Sequence, residues 1–131
     1  MPATAQWVAK KINLTTFHPH QIREINTNVL LGVTYLRLVS ESLDNSPVLA
    51  SAAYNAGPGR ARRWRGTQPL EGAIYAETIP FSETRDYVKK VMSNTTYYHL
   101  LFNHTPQSLK ARIGIVLPQR DSVTSAAKKL P

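Results

Sequence analysis

The sequence contains no cysteine, which excludes disulfide bonds, thiolate catalysis and zinc sites built from cysteine. It has no run of roughly 18 apolar residues, the length that a membrane-spanning helix needs, so no transmembrane segment is predicted. No basic stretch followed by an apolar one opens the chain, so we predict no signal peptide within it. Acidic residues are scarce: eight Asp and Glu stand against sixteen Lys and Arg, for a net charge of +8. This excess favours a polyanionic partner, which could be nucleic acid, acidic lipid or an anionic cell-wall polymer.

Helical periodicity dominates the rest of the sequence, and its 131 residues suit one domain with a core. We predict an all-α bundle of about five helices over residues 1–104, followed by an extended or disordered basic tail over 105–131. Asn26 or Thr27 is the predicted N-cap of the second helix, and Ser82 that of the longest. The predicted helices cover residues 2–12, 27–43, about 48–56, 58–65 and 81–102, and a brief helical turn is predicted near 71–78.

The stretch from Ala52 to Gly59 places a phenol and a carboxamide, Tyr54 and Asn55, at the predicted end of a helix. Gly57 suits a positive φ that ends this helix, and Pro58 suits the first turn of the next one. Polar side chains at such an end can face a cleft. They can equally cap the helix and pack in the core, and spacing alone leaves both interpretations open.

Three segments, residues 1–5, 53–57 and 79–88, together resemble successive motifs of the soluble lytic transglycosylases. The resemblance implies a lysozyme-like helical fold, peptidoglycan glycan strands as the partner, no cofactor or metal, and a periplasmic or cell-envelope location for the full-length parent. It also implies non-hydrolytic cleavage of the MurNAc–GlcNAc bond. In that reaction one glutamate acts first as acid and then as base, and the product carries a 1,6-anhydro sugar.

The catalytic glutamate of this family stands upstream of the residues that match Met1 and Pro2, and nothing in this chain matches its motif. We therefore interpret the chain as the C-terminal part of the domain and expect it to be inactive alone. An exposed apolar face and self-association are expected consequences. Glu24 lies among polar residues, whereas the apolar step at Ile79 favours a raised pKa for Glu77. Neither is expected to replace the lost acid.

By resemblance, the candidate substrate-binding residues are Tyr54, Glu77, Asn55 and Met1, and no residue is assigned a catalytic role. Tyr54 matches the tyrosine beside the catalytic glutamate, and Met1 matches a methionine that lines the sugar groove. Glu77 matches an acidic position associated with muropeptide binding, and Asn55 matches the motif neighbour of the tyrosine. For each residue the alternative is a capping, core or solvated surface role.

The run from Arg60 to Arg65 supports a different interpretation, a non-catalytic module that binds cell wall or nucleic acid through a basic surface. Its arginines spread around the predicted helix, which argues against a one-sided nucleic-acid patch. The four histidines form no pair with the spacing of a metal site, so no metal is predicted.

Overall fold

The computed structural model describes residues 2–119. It confirms the all-α prediction: within these residues there are seven α-helices, one 3₁₀ turn and one two-stranded antiparallel ribbon. No helix of this part of the chain combines the length and the apolar character needed to cross a membrane. The elements in chain order are α1 Pro2–Lys11, the 3₁₀ turn Pro19–Arg23, α2 Ile25–Glu41, α3 Pro47–Ala56, α4 Pro58–Arg63, β1 Leu70–Glu71, α5 Gly72–Thr78, α6 Ser82–Asn103, α7 Leu109–Ile113 and β2 Ile115–Val116.

Helix α3 is the centre of the fold and packs against α2, α4 and α6. The Ser46 hydroxyl caps its first turn by accepting from the Leu49 N–H, and Pro47 occupies the first helical position. Its alanines carry small side chains, so neighbouring helices approach closely. The fully buried side chains around it include Val8, Val39, Leu43, Val48, Leu49, Tyr75, Ile79 and Val88.

Gly57 ends α3 with φ 91°, a positive value that favours glycine, and its N–H donates to the Ala53 carbonyl at 2.8 Å. Pro58 then begins α4 directly. The predicted break between the two helices is confirmed. It places Tyr54 and Asn55 in the last turn of α3.

Two predicted N-caps are wrong by one to three residues. Helix α2 begins at Ile25 with Glu24 as its N-cap, and the hydroxyl of Thr27 donates to the Glu24 carboxylate at 3.2 Å and caps no backbone N–H. Ser82 is the first residue of α6, and its N-cap is Phe81, which makes no side-chain capping bond.

Helix α2 carries apolar residues on most sides, which predicts that it is buried between its neighbours, but the structure buries only one of its faces. It buries Leu31, Tyr35 and Val39, while its opposite apolar face is open. The exposed set on that face is Ile25 at 79%, Val29 at 55%, Val33 at 62% and Leu36 at 40%. The predicted exposed apolar face therefore exists on this helix.

The second half of α6 also departs from prediction. The helical spacing of Val88, Met92, Thr95 and Phe102 predicts one buried stripe, yet Thr95 is exposed and Phe102 is 77% exposed. Phe102 stacks instead on Tyr98 at a ring-centroid distance of 6.1 Å. Only the first half of the helix, through Val88 and Met92, reaches the core.

The segment after His104 contains the short helix α7, which the sequence did not predict and which Ser108 caps by accepting from the Ala111 N–H. The strand β2 lies extended against the body, with Leu70 paired to Val116 and Glu71 to Ile115. Gly72 allows this approach, because an added Cβ would lie 2.1 Å from Ile113 Cγ2. The tail predicted to be disordered, Asp121 to Pro131, lies outside the described residues.

Candidate functional site

Tyr54 is half-buried in the last turn of α3, and its phenol lines two neighbouring cavities. Its ring meets the Tyr35 ring of α2 at a centroid distance of 5.8 Å and an interplanar angle of 52°, a tilted aromatic contact. This contact holds the Tyr54 ring on one side, while its hydroxyl points toward the backbone of α2 at Gly32. Tyr54 therefore packs partly against the core and also faces the two cavities.

The first cavity has a volume of about 140 Å³ and lies between α1, the 3₁₀ turn, α2 and the end of α3. Apolar side chains form most of its wall, and a few polar groups interrupt them, which is the usual composition of a ligand site. Its lining consists of Thr4, Ala5, Val8, Ile22, Asn28, Leu31, Gly32, Tyr35 and Tyr54.

The second cavity has a volume of about 300 Å³ and lies between α2, α3 and α6. This cavity is more open to solvent than the first, and it lies on the exposed apolar side of α2. Its lining consists of Asn28, Val29, Gly32, Val33, Leu36, Ser51, Tyr54, Tyr87 and Val91. Asn28, Gly32 and Tyr54 belong to both cavities, so these three residues form the boundary between them.

Two phenols beside Tyr54 have raised pKa values, which keeps them protonated and able to donate hydrogen bonds. Burial raises the pKa of Tyr35 and the pKa of Tyr87, and in both cases the neighbouring Tyr54 raises it further. Among the carboxylates of residues 2–119, none lines either cavity. The site can therefore hydrogen-bond a neutral polar ligand, but it presents no carboxylic acid to that ligand.

Asn55 performs a structural task next to this site. Its carboxamide oxygen accepts from the Thr84 hydroxyl at 2.7 Å, and Thr84 is only 2% exposed in the first turn of α6. The bond ties the end of α3 to the start of α6. Asn55 also lines a separate polar cavity of about 560 Å³ with Arg60 and Glu83, away from the two that Tyr54 lines.

Glu77 lies on the surface at the end of α5 and does not line either Tyr54 cavity. Its carboxylate contacts the Lys89 ammonium at 2.6 Å, and its side chain is 60% exposed. The hydrogen bond and the charge of Lys89 lower the pKa of Glu77. The predicted rise of this pKa is wrong, because sequence patterning does not reveal that α6 brings a lysine to the carboxylate.

Neither Glu24 nor Met1 adds a described side chain to the cavities that Tyr54 lines. Glu24 is exposed and accepts a hydrogen bond from the Thr27 hydroxyl at 3.2 Å. Met1 lies outside the described residues, so its predicted place in a sugar groove stays a prediction. Among residues 2–119, no group of three or more potential metal ligands lies together.

The arginines from Arg60 to Arg65, on α4 and directly after it, point in different directions and contact the interior as well as the surface. The Arg65 side chain is 4% exposed, forms an ion pair with Asp44 and donates from Nε to the Leu117 carbonyl at 2.7 Å. Burial lowers the pKa of Arg62, and Arg65 lowers it further. Arg60 lies over the Phe81 ring at 5.0 Å. These contacts leave no single basic face along the helix.

Sequence reasoning missed Tyr35, Tyr87 and Asn28 as members of the site. Tyr35 and Asn28 lie on α2 seven residues apart, so helical spacing places both on one side of it. Tyr87 lies on α6 within the motif-like segment 79–88, but the sequence does not show that α6 brings it to the cavity that Tyr54 lines.

Two family models match the chain. The transglycosylase SLT domain covers residues 1–75, and the soluble lytic transglycosylase helical domain covers residues 78–107. A soluble lytic murein transglycosylase of Salmonella typhimurium is 43% identical over 75% of this chain, which covers 16% of that protein. Its Escherichia coli counterpart is 38% identical over 85% of this chain, which covers 18% of that protein.

Solved structures agree with these matches. An inactive mutant of the lytic transglycosylase Slt from Pseudomonas aeruginosa has a TM-score of 0.76 and 41% identity, covering 83% of this chain and 18% of that one. The 70 kDa soluble lytic transglycosylase from Escherichia coli has a TM-score of 0.71 and 34% identity, covering 87% of this chain and 18% of that one. The chain thus spans less than a fifth of these relatives' length. With the SLT domain matched over more than half of its residues, the chain belongs to the soluble lytic transglycosylase family.

Proposed function

We propose that this chain forms part of the glycan-binding cleft of a lytic transglycosylase-type domain, with bacterial peptidoglycan as the substrate. The relatives are named soluble lytic murein transglycosylases, and their activity is carried over here as a proposal, because the chain spans only 16–18% of their length. The observation that carries the proposal is the position of Tyr54. Its half-buried phenol lies at the boundary of two mostly apolar cavities, where it can hydrogen-bond a sugar.

The reaction of the complete domain is the non-hydrolytic cleavage of the MurNAc–GlcNAc bond to a 1,6-anhydro sugar, by one carboxylic acid that acts first as acid and then as base. Among residues 2–119 no carboxylate lines the Tyr54 cavities, and Glu77 is an exposed, paired carboxylate with a lowered pKa. A general acid needs a raised pKa. We therefore assign the catalytic acid to a residue outside this part of the chain, and we expect the chain to be inactive alone. We place the parent protein in the periplasm or cell envelope.

The remaining candidate residues take supporting roles in this proposal. Asn55 holds the end of α3 through Thr84 and so fixes the turn that carries Tyr54. Glu77 and Lys89 present an exposed ion pair, which suits the charged peptide stems of muropeptides. Met1 is proposed to line the groove, as in the family.

Retention on purified, insoluble peptidoglycan tests the role of Tyr54. Tyr54→Phe removes only the hydroxyl and keeps the ring contact with Tyr35, so the fold is retained while one hydrogen bond to the glycan is lost. Such a bond contributes about 1 kcal/mol, or roughly fivefold in affinity. Tyr97→Phe is the matched control, since Tyr97 is 59% exposed on α6 and lines neither cavity. Equal retention of both variants and the wild type would refute the role of Tyr54.

The alternative function is a non-catalytic module that binds cell wall or nucleic acid through its basic surface, since the net charge is +8. The divergent contacts of Arg60 on α4 and of Arg65 after it weigh against a phosphate-binding patch. A salt series on DNA and on peptidoglycan separates the two functions. Binding to DNA that is lost when Arg62 and Arg63 are both changed to Ala, with peptidoglycan binding absent, would favour the alternative.

We also propose that the protein self-associates through the exposed apolar face of α2. Ile25, Val29, Val33 and Leu36 recur at helical spacing along it and are 40–79% exposed. Sedimentation across a concentration series measures association directly. Val33→Glu is expected to shift the protein toward monomer, whereas Ser93→Glu on an exposed part of α6 is not. A wild-type protein that stays monomeric at every concentration would contradict the proposal.

A further inference from the structure

Gly32 lies in the middle of α2, where glycine costs about 1 kcal/mol of helix stability relative to alanine. Its φ lies in the ordinary helical range, so backbone conformation does not require glycine here. What requires it is space: a Cβ built at this position would lie 3.1 Å from the Tyr54 hydroxyl oxygen. That is tighter than an ordinary van der Waals contact, so a side chain at position 32 would displace the hydroxyl by a few tenths of an ångström.

The Tyr54 phenol has little freedom to give way. The centroid of its ring lies 5.8 Å from that of the Tyr35 ring. Tyr35 is only 5% exposed and lies on the same helix as Gly32. The turn that carries Tyr54 is fixed by the bond between Asn55 and Thr84. A Cβ at position 32 would therefore shift the Tyr54 hydroxyl away from the place that it occupies beside Gly32.

Gly32 also lines both cavities at the boundary that it shares with Tyr54 and Asn28. Without a side chain, the α2 backbone itself is the floor between the two cavities, and a ligand can approach it closely. Any larger residue would raise this floor beside the hydroxyl that is proposed to contact the glycan.

We infer that Gly32 is a positioning residue for glycan binding: its missing side chain sets the place of the Tyr54 hydroxyl at the boundary of the two cavities. The inference rests on the proposed function, because it concerns the same tyrosine and the same glycan. It adds a residue that acts through Tyr54 and needs no hydrogen bond of its own to the sugar.

A double-mutant cycle tests the inference, with soluble, uncross-linked peptidoglycan glycan strands as the probe. Gly32→Ala is expected to weaken binding about fivefold, the loss of one hydrogen bond, as is Tyr54→Phe. The double variant is expected to bind no more weakly than Tyr54→Phe alone, because the crowded oxygen has been removed. Gly59→Ala is the matched control, a helical glycine of α4 whose added Cβ meets nothing within 4 Å, and it is expected to bind like the wild type.

Full additivity of the two single losses would overturn the inference, since the side chain at position 32 would then act without the Tyr54 hydroxyl. Ring resonances of ¹³C-labelled tyrosine in the unliganded protein give a second readout. The Tyr54 signals are expected to shift in Gly32→Ala and to stay in place in Gly59→Ala, and unshifted signals in both would also overturn it. Shifted signals with unchanged binding in both Gly32→Ala and Tyr54→Phe would instead refute the proposed role of Tyr54 in glycan binding.

Discussion

Replacing Gly72 with alanine is expected to detach the segment that follows His104 from the body of the domain. The added Cβ would lie 2.1 Å from Ile113 Cγ2, 2.9 Å from the Ile113 carbonyl oxygen and 3.0 Å from the Gly114 carbonyl oxygen. Two of these three atoms belong to the backbone, so a change of side-chain rotamer cannot relieve the crowding. The hydrogen bond from the Gly72 N–H to the Gly114 carbonyl, at 2.8 Å, would have to lengthen or break.

The magnitude follows from what this contact holds in place. Overpacking of this kind costs about 1–3 kcal/mol if α7 and β2 stay docked. If they detach, Ile113 at 8% exposure and Val116 at 2% become solvated, which costs about 1.5–3 kcal/mol for each side chain. The less costly response sets the loss, so we expect about 1–3 kcal/mol of unfolding free energy if the segment stays docked, and local opening if the crowding costs more than the docking contributes.

Urea denaturation and limited trypsin digestion distinguish these outcomes. Trypsin cleaves after Lys110 and Arg112 on α7, so local opening is expected to speed cleavage there while the rest of the chain stays resistant. Gly66→Ala is the control, because its Cβ would meet the nearest atom, the Gln68 carbonyl oxygen, at 3.9 Å. A Gly72→Ala protein with the wild-type urea midpoint and wild-type cleavage rate would refute the packing argument.

Three further predictions concern charge and hydrogen bonding. Asp44→Asn leaves the nearly buried Arg65 guanidinium without its counter-charge and is expected to lower the unfolding free energy in urea by about 1–3 kcal/mol; an unchanged midpoint would contradict this. Burial raises the pKa of Tyr75, whose hydroxyl donates to the Ala61 carbonyl at 3.1 Å, so stability should hold below pH 10 and fall above it, and less steeply in Tyr75→Phe. Lys89 lowers the pKa of Glu77, so this ion pair adds stability above the pKa of the unfolded state, and that stability is lost as the pH falls through the folded pKa. Glu77→Gln should therefore flatten the acid side of the curve of unfolding free energy against pH, and only at low salt. An effect that survives high salt would contradict an exposed pair.

Local features of the fold could be predicted from the sequence where local chemistry decides them. The end of α3 is one example, because Gly57 and Pro58 act through their own backbone preferences. The start of α2 is a counter-example, because the helix begins two residues earlier than the polar residues Asn26 and Thr27 indicate, and Thr27 donates to the Glu24 carboxylate in place of capping.

The candidate site could be predicted only in part for the same reason. Tyr54 was found through its motif, whereas its neighbour Tyr87 comes from another helix and depends on how α3 and α6 pack. The pKa of Glu77 was predicted in the wrong direction, because the apolar residues that follow it in sequence do not enclose it and Lys89 reaches it from α6. The exposure of Val29 and Val33 could not be read from their apolar character, which predicts burial.

The most direct test of the central claim is to incubate the chain with purified peptidoglycan sacculi and to analyse the bound and released fractions by mass spectrometry. The claim is that this chain supplies glycan-contacting walls around Tyr54 without a catalytic carboxylic acid. It predicts that the protein is retained on the sacculi and that no 1,6-anhydro-muropeptides are released. Release of such products by the chain alone would contradict it.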